Sequence, residues 1–293
     1  MRPTLGVVCT SGRDATVGRA RRNADNYVLC ANGRASWLVD GEEKAHRSEG
    51  HGVLLAVADG EADTIEDART ASTSFCRVLE KLWQQHPAAP AEALADFLAS
   101  AHTRMYWKTR EREVSLGASG AVAWLLGDGL HWVEIGSARV FLWRNGALHR
   151  LAKPWVAAES QRFIAGSDGL GDDTALHLKR GTNVGTVAVA PGDLVLLSTD
   201  GLWSAVDERS MEQIVQHVGD AQTAAVTLME RAVARGGRDH VTVAVADLRK
   251  AVADQPAPPA EDRPLPLGEA RTASSARTRP GRPARLRDQV TEP

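Results

Sequence analysis

Four aspartates stand where apolar segments end. Val53-Leu54-Leu55-Ala56-Val57-Ala58 runs into Asp59-Gly60, and the segment from Leu194 to Thr199 runs into Asp200-Gly201. Asp239 lies between Gly236-Gly237-Arg238 and the apolar stretch from Val241 to Ala246, and Asp25 closes Arg21-Arg22-Asn23-Ala24-Asp25 just before Tyr27-Val28-Leu29. Aspartate is a poor strand former, and a single Asp-Gly is ordinary turn chemistry, as Asp40-Gly41 and Asp128-Gly129 read here. Four carboxylates gathered at one edge of a sheet would repel one another, and a hard divalent cation with oxygen ligands reverses the sign of that interaction. Two such ions roughly 3.5–4 Å apart lower the pKa of a shared water and clamp a phosphoryl group for in-line attack. Arg19, Arg21 or Arg22 offers the bidentate guanidinium that a phosphate needs.

Those carboxylates need a scaffold, and the hydrophobic pattern supplies one. Short runs rich in Val, Leu and Trp predict strands over Leu5–Cys9, Tyr27–Cys30, Ser36–Val39, Val53–Ala58, Ala118–Leu126, Leu130–Ile135, Arg139–Trp143, Thr186–Val189, Leu194–Ser198 and Val241–Asp247. Asn145-Gly146, set between Val140–Trp143 and Leu148–Leu151, predicts a type I′ hairpin, because both residues accept positive φ. Helical spacing predicts long amphipathic helices over about Ile65–Gln85 and Ala91–Arg112, and shorter ones over Glu208–His217 and Ala221–Arg235. Hairpin-connected strands imply antiparallel sheets, and helix pairs between the strand runs imply helix layers packed on sheet.

Composition limits the function classes. The chain has 293 residues with 35 Lys plus Arg against 37 Asp plus Glu, a net charge of −2, which excludes a supercharged nucleic-acid coat. The average hides an asymmetry: eight of 13 prolines and a net +2 fall in residues 250–293, leaving −4 on residues 1–249. The expected organisation is a folded domain over 1–249 and a Pro/Arg-rich disordered tail over 250–293. Three widely spaced cysteines, Cys9, Cys30 and Cys76, without CxxC or zinc spacing, read as buried thiols of a reducing compartment. No apolar run approaches the ~20 residues of a membrane span. A cytoplasmic chain is expected, with no nucleic-acid or membrane partner.

Six segments, in order along residues 4–248, resemble the motifs of the metal-dependent protein phosphatases (PPM, type 2C). They are Val17-Gly18-Arg19-Ala20-Arg21-Arg22-Asn23-Ala24-Asp25; Ala56-Val57-Ala58-Asp59-Gly60; Gly117-Ala118-Ser119-Gly120-Ala121; Ile135-Gly136-Ser137-Ala138-Arg139; Pro191-Gly192-Asp193-Leu194 through Thr199-Asp200-Gly201-Leu202-Trp203; and Gly236-Gly237-Arg238-Asp239-His240-Val241-Thr242-Val243. The resemblance implies an α+β fold, a four-layer α-β-β-α sandwich. It implies hydrolysis of phosphoserine or phosphothreonine by a metal-bridged hydroxide, without a phosphoenzyme. On the matching positions, Asp59 would bridge two Mn²⁺ or Mg²⁺ ions with the Gly60 carbonyl on the second. Asp200 and Asp239 would complete the first site, Asp25 would reach the second ion through water, and Arg21 would hold substrate phosphate. A phosphorylated protein substrate, a cognate Ser/Thr kinase or its targets as partners, and a monomer follow on the same basis.

The sequence also departs from that pattern. The second motif continues as Asp59-Gly60-Glu61-Ala62-Asp63 rather than with further glycines, which makes the rim more acidic and leaves no histidine there. Ser137 replaces the aspartate of a third metal site, so that site is expected to be weak or absent, and His240 replaces an asparagine. The Arg-to-Asn spacing of the first motif leaves Arg19, Arg21 and Arg22 all open as the phosphate ligand. The altered positions motivate an alternative reading, a pseudophosphatase acting as a regulatory or binding module on the same fold. Asp59-x-Glu61-x-Asp63 is a poor EF-hand, with Thr64 where glycine is needed. The Gly166–Asp173 cluster reads as a flap near the site, and Trp124, Trp132 and Trp143 read as sheet packing.

Overall fold

Alternation along each strand decides which core a residue joins. The computed structural model describes residues 2–11, 23–39, 42–85, 89–152, 164–165 and 182–251, all within the unit Met1–Asp254. The expected tail, except for Lys250 and Ala251, and the Gly166–Asp173 cluster lie outside the described residues.

The elements in order are strands β1 (Thr4–Thr10), β2 (Asn26–Ala31), β3 (Arg34–Val39), β4 (Glu42–Arg47) and β5 (Val53–Glu61), then helices α1 (Ile65–Gln84) and α2 (Pro90–Arg112). Strands β6 (Gly117–Leu126), β7 (Gly129–Ile135), β8 (Arg139–Arg144), β9 (Ala147–Arg150), β10 (Ile164–Ala165), β11 (Thr182–Ala188) and β12 (Leu194–Ser198) follow. Helices α3 (Asp200–Trp203), α4 (Glu208–His217) and α5 (Ala221–Ala234) precede β13 (Val241–Asp247).

These strands form two antiparallel sheets, one ordered β1-β13-β12-β8-β9 and the other β11-β7-β6-β5-β2-β3-β4, with β10 paired to the start of β6. In β5, Leu55 and Val57 point into the core between the sheets, where Ala121, Val140, Val195, Leu197 and Ala244 meet them. The alternate residues Leu54, Ala56 and Ala58 point the other way, onto Phe75 and Leu79 of α1 and Phe97 of α2. Burial on both faces explains why β5 reads as a continuous apolar run. The smaller sheet is built the same way, with Leu194, Leu196, Val243 and Val245 packed on Met211 and Val215 of α4 and Leu228 of α5. The result is the expected four-layer α-β-β-α sandwich.

Element ends follow local chemistry. Thr64 caps α1 by accepting the Asp67 amide at 3.1 Å, and Asp207 and Asp220 cap α4 and α5. Asn145 and Gly146 take φ of 53° and 84°, the type I′ turn the dipeptide predicts. Three elements are not legible from periodicity, the shortest being β10, two residues long. Strand β4, Glu-Glu-Lys-Ala-His-Arg, is exposed along its whole length and pairs only on one side, with β3, so charge protects an edge rather than apolar alternation marking a strand. Helix α3 is a single turn and too short to show a period. Strand β11 starts at Thr182, four residues before the expected Thr186, because its outer half alternates between half-buried and exposed positions.

Candidate metal centre

The same alternation that builds the cores aims the acidic residues. Asp59 follows Leu55 and Val57 on the inter-sheet side of β5, at the rim where the core ends. Strand β2 pairs with β5 through Asn26↔Ala58, so Asp25, one residue earlier, falls opposite Asp59. From the other sheet, Thr242 shares the face of Ala244 and Ala246, and Thr199 continues β12 with its amide bonded to the Thr242 carbonyl at 3.1 Å. Asp200 then opens α3.

Asp25 is only 2% exposed. Its Oδ2 accepts hydrogen bonds from Thr199 Oγ1 (2.8 Å) and Thr242 Oγ1 (2.7 Å). The threonines are themselves fixed, since Thr199 Oγ1 accepts the Thr242 amide at 3.0 Å. Below them, Asn23 Oδ1 accepts the Asp25 amide, and Asn23 Nδ2 and the Thr242 hydroxyl both meet Cys9 Sγ at 2.9 Å. Burial pushes the Cys9 thiol up, with the Asp25 charge adding to it, so the thiol stays neutral and acts as packing. One oxygen of Asp25 is thereby satisfied, while Oδ1 is buried with no hydrogen-bond partner among the described residues, as is Oδ1 of Asp200.

Carboxylate oxygens of Asp25 and Asp59 and a ring nitrogen of His240 lie within 4.8 Å of one another. The electrostatics are strained accordingly. Burial and then the neighbouring Asp25, Asp200 and Asp239 push the Asp59 carboxyl well above the carboxylate range. Asp25 is raised by burial and by Asp200, against the lowering pull of the threonine hydrogen bonds, and Asp200 is raised by burial and by Asp239. A protein places buried like charges this close at a cost that either protons or cations must offset.

The backbone is fitted to hold them. A Cβ on Gly60 would lie 1.8 Å from the Ala68 carbonyl oxygen of α1, and one on Gly201 would lie 1.9 Å from the His240 carbonyl oxygen. Gly60 lies inside strand β5 and Gly201 inside helix α3, so these two Asp-Gly pairs are not turns. Glycine is there because a second chain segment touches the backbone behind each aspartate. Trp203 Nε1 donates to the Ser137 carbonyl at 3.0 Å, and the Arg139 guanidinium stacks 3.5 Å from the Trp203 ring centroid. That pins α3, which Asp200 opens, to the β7–β8 turn.

Asp59, Gly60, Glu61, Asp63, Asp239 and His240 line a surface cleft of about 650 Å³. Asp239 accepts the His240 amide at 2.8 Å and reaches the others from the cleft wall. Of the residues expected from sequence, Asp25 and Asp59 come together, Gly60 and Asp239 line the same cleft as Asp59, and Asp200 and Asp239 stand near enough to act on the Asp59 carboxyl, whereas Arg21, with Arg19 and Arg22, lies outside the described residues. Three further residues belong to the cluster. Thr199 and Thr242 left no signal beyond their place beside the aspartates. His240 showed only as a departure from the expected asparagine.

The protein phosphatase 2C family model matches residues 42–234. Among curated proteins, the chain is 29% identical over 151 residues to probable protein phosphatase 2C 11 of Arabidopsis thaliana, covering 44% of this chain and 41% of that one. It is 25% identical over 225 residues to probable protein phosphatase 2C 44 of Oryza sativa subsp. japonica, covering 67% and 68%. It thus spans about two fifths of the first relative and two thirds of the second. Among solved structures, the Mycobacterium tuberculosis serine/threonine phosphatase PstP/Ppp superposes with a TM-score of 0.63 at 20% identity, over 85% of this chain and 99% of that one. The catalytic domain of the serine threonine protein phosphatase PstP in complex with two manganese ions gives 0.62 at 23% identity, over 83% and 98%. These likenesses establish a shared fold.

Proposed function

We infer the function from one premise: the chain belongs to the protein phosphatase 2C family. The activity we assign is metal-dependent hydrolysis of phosphoserine and phosphothreonine in proteins. The observation that carries it is the meeting of the buried Asp25 with the half-buried Asp59 and His240, their ligand atoms within 4.8 Å, with Asp200 near enough to raise both carboxyls. The buried oxygens of Asp25 and Asp200 that lack hydrogen-bond partners among the described residues fit the hard oxygen ligands of a divalent cation. A metal-free regulatory module would have no use for carboxylates that repel one another.

In this reading Asp59, the Gly60 carbonyl, Asp200 and Asp239 hold two Mn²⁺ or Mg²⁺ ions, as the two-manganese PstP structure encourages. The bound ions supply an activated water and neutralise charge on the phosphoryl group. The remaining work belongs to the chain. Thr199 and Thr242 fix the rotamer of Asp25 so that its second oxygen faces the centre. Gly60 and Gly201 let α1 and the segment before β13 press against the aspartate backbones. His240 brings a nitrogen to the Asp25–Asp59 edge, where it can bind metal or donate a hydrogen bond to phosphate. Arg21, or its neighbours Arg19 and Arg22, holds the phosphate, and Ser137 makes a third cation site weak or absent. A cytoplasmic Ser/Thr kinase or its targets are the partners this activity calls for.

The test is release of phosphate from phosphoserine and phosphothreonine peptides with Mn²⁺, Mg²⁺ or EDTA, beside Asp200→Asn. Turnover is expected only with metal and is expected to fall at least 100-fold in the variant, the scale of losing one charged contact at a metal centre. Equal turnover in EDTA, or in the variant, would overturn the assignment.

A further inference from the structure

A second cleft, of about 380 Å³, runs between α1 and α2 and reaches Val39 at the end of β3. Five cations line it: Arg69 and Arg77 from α1, and Arg104, Lys108 and Arg112 from α2. Among the described residues, Glu66 is the one acidic residue on its wall. Arg112 is taken up by Asp67 at 2.5 Å, and Arg69 Nε donates to the Asn23 carbonyl. Among the described residues, the side chains of Arg77, Arg104 and Lys108 have no ion-pair partner, and the Nε of Arg104 is buried without a hydrogen-bond acceptor. Arg104 and Lys108 sit one turn apart on α2, a like-charge spacing that destabilises a helix unless an anion lies between them. Thr73 adds a hydroxyl on the α1 side, its oxygen already accepting from Asn26 at 3.0 Å, so its hydrogen remains to donate.

The cleft is coupled to the metal centre through α1. Ala68 lines the acidic cleft and its carbonyl meets Gly60, while the next residue, Arg69, lines the basic one. At 1.5 Å per helical residue, Arg77 stands about 13 Å along α1 from Ala68, a span that about four residues of extended peptide cover.

We propose that the α1–α2 cleft is an anion-docking subsite, which receives a second phosphate or a carboxylate of the protein substrate about four residues from the phosphoresidue being hydrolysed. This rests on the phosphatase reading. It explains why an acidic catalytic cleft is flanked by uncompensated cations: one side takes metal and the scissile phosphate, the other selects substrates carrying a further negative charge.

The experiment compares two peptides with one phosphoserine, one of them carrying a second phosphoserine four residues away on either side. In Mn²⁺ the wild type is expected to show about a 10-fold lower KM for the doubly phosphorylated peptide. The double variant Arg77→Glu, Lys108→Glu, at an exposed and a half-buried position, is expected to lose that preference while turning over a small aryl phosphate at the wild-type rate. Binding of the doubly phosphorylated peptide to protein in EDTA, followed by fluorescence anisotropy, separates the two readings. If nothing is hydrolysed but this binding is lost in the variant, the subsite stands and the catalytic assignment falls. Equal KM for both peptides, or a preference retained in the variant, overturns the subsite. So does inorganic phosphate changing aryl phosphate turnover through Arg77 and Lys108, which would make the cleft a site for a free anion.

Discussion

Replacing Asp59 with asparagine should stabilise the metal-free protein while destroying its response to metal. Oxygens of Asp25 and Asp59 lie within 4.8 Å. Two full charges at that distance repel by about 3.5 kcal/mol at an effective dielectric of about 20. Avoiding the repulsion by keeping one proton at pH 7 costs about 4 kcal/mol relative to an unfolded aspartate with a pKa near about 3.9. Either route burdens the metal-free fold by a similar amount, and Asp59→Asn removes it with little change in volume. Allowing for the desolvated amide, the gain is about 2–3 kcal/mol, or about 5–10 °C in Tm for a domain of this size. The sign of the pH dependence follows from the raised folded-state pKa values of Asp25 and Asp59. Their contribution is fully favourable below the unfolded pKa and is lost as pH rises through the folded values, so the variant's advantage should vanish near about pH 4 and grow toward pH 8. Calorimetry in EDTA across that range measures it, and a repeat in Mn²⁺ should reverse the order. An Asp59→Asn protein that melts at or below the wild type in EDTA at pH 7.5 would refute the electrostatic account of this cluster.

Three further substitutions probe the supports. Thr242→Val leaves the buried Asp25 Oδ2 one donor short and should cost about 1–3 kcal/mol, seen in chemical denaturation, and weaken Mn²⁺ binding in calorimetric titration. Gly60→Ala drives a methyl into the Ala68 carbonyl and should destabilise by about 3 kcal/mol or more, read as lost soluble yield or a lower Tm, whereas Gly146→Ala, at an open turn with positive φ, should cost about 1 kcal/mol. His240→Asn should leave Tm nearly unchanged but alter the electron paramagnetic resonance of bound Mn²⁺ if the imidazole nitrogen is a ligand; an identical spectrum would assign the ring to substrate instead.

The sequence carried the scaffold where packing leaves a period and lost it where packing does not. Strand β12 and helix α4 fall on the expected residues because both bury their apolar faces against the same core. Strand β4 escaped because an edge strand is selected for charge. At the candidate site, Asp-Gly at the end of an apolar strand flagged Asp59 and Asp200, yet for a reason different from turn formation. The glycines answer to Ala68, one turn into the helix that follows, and to His240, 39 positions on, and neither contact exists until the chain is folded. Thr199 and Thr242 were hidden for the same reason, since a hydroxyl bonded to a carboxylate 217 positions away has no local pattern. The basic cleft was hidden too: its cations sit on two helices, each with an ordinary solvated face when read alone.

The central claim is that the aspartate cluster exists to hold two catalytic cations. Its most direct test titrates Mn²⁺ into EDTA-stripped protein, recording binding heat and phosphopeptide turnover on the same sample. Two equivalents of Mn²⁺ should bind, with turnover rising only as the second does, and both should be lost in Asp200→Asn. Full turnover before any metal is added, or two bound equivalents with no turnover on any phosphopeptide, would contradict it.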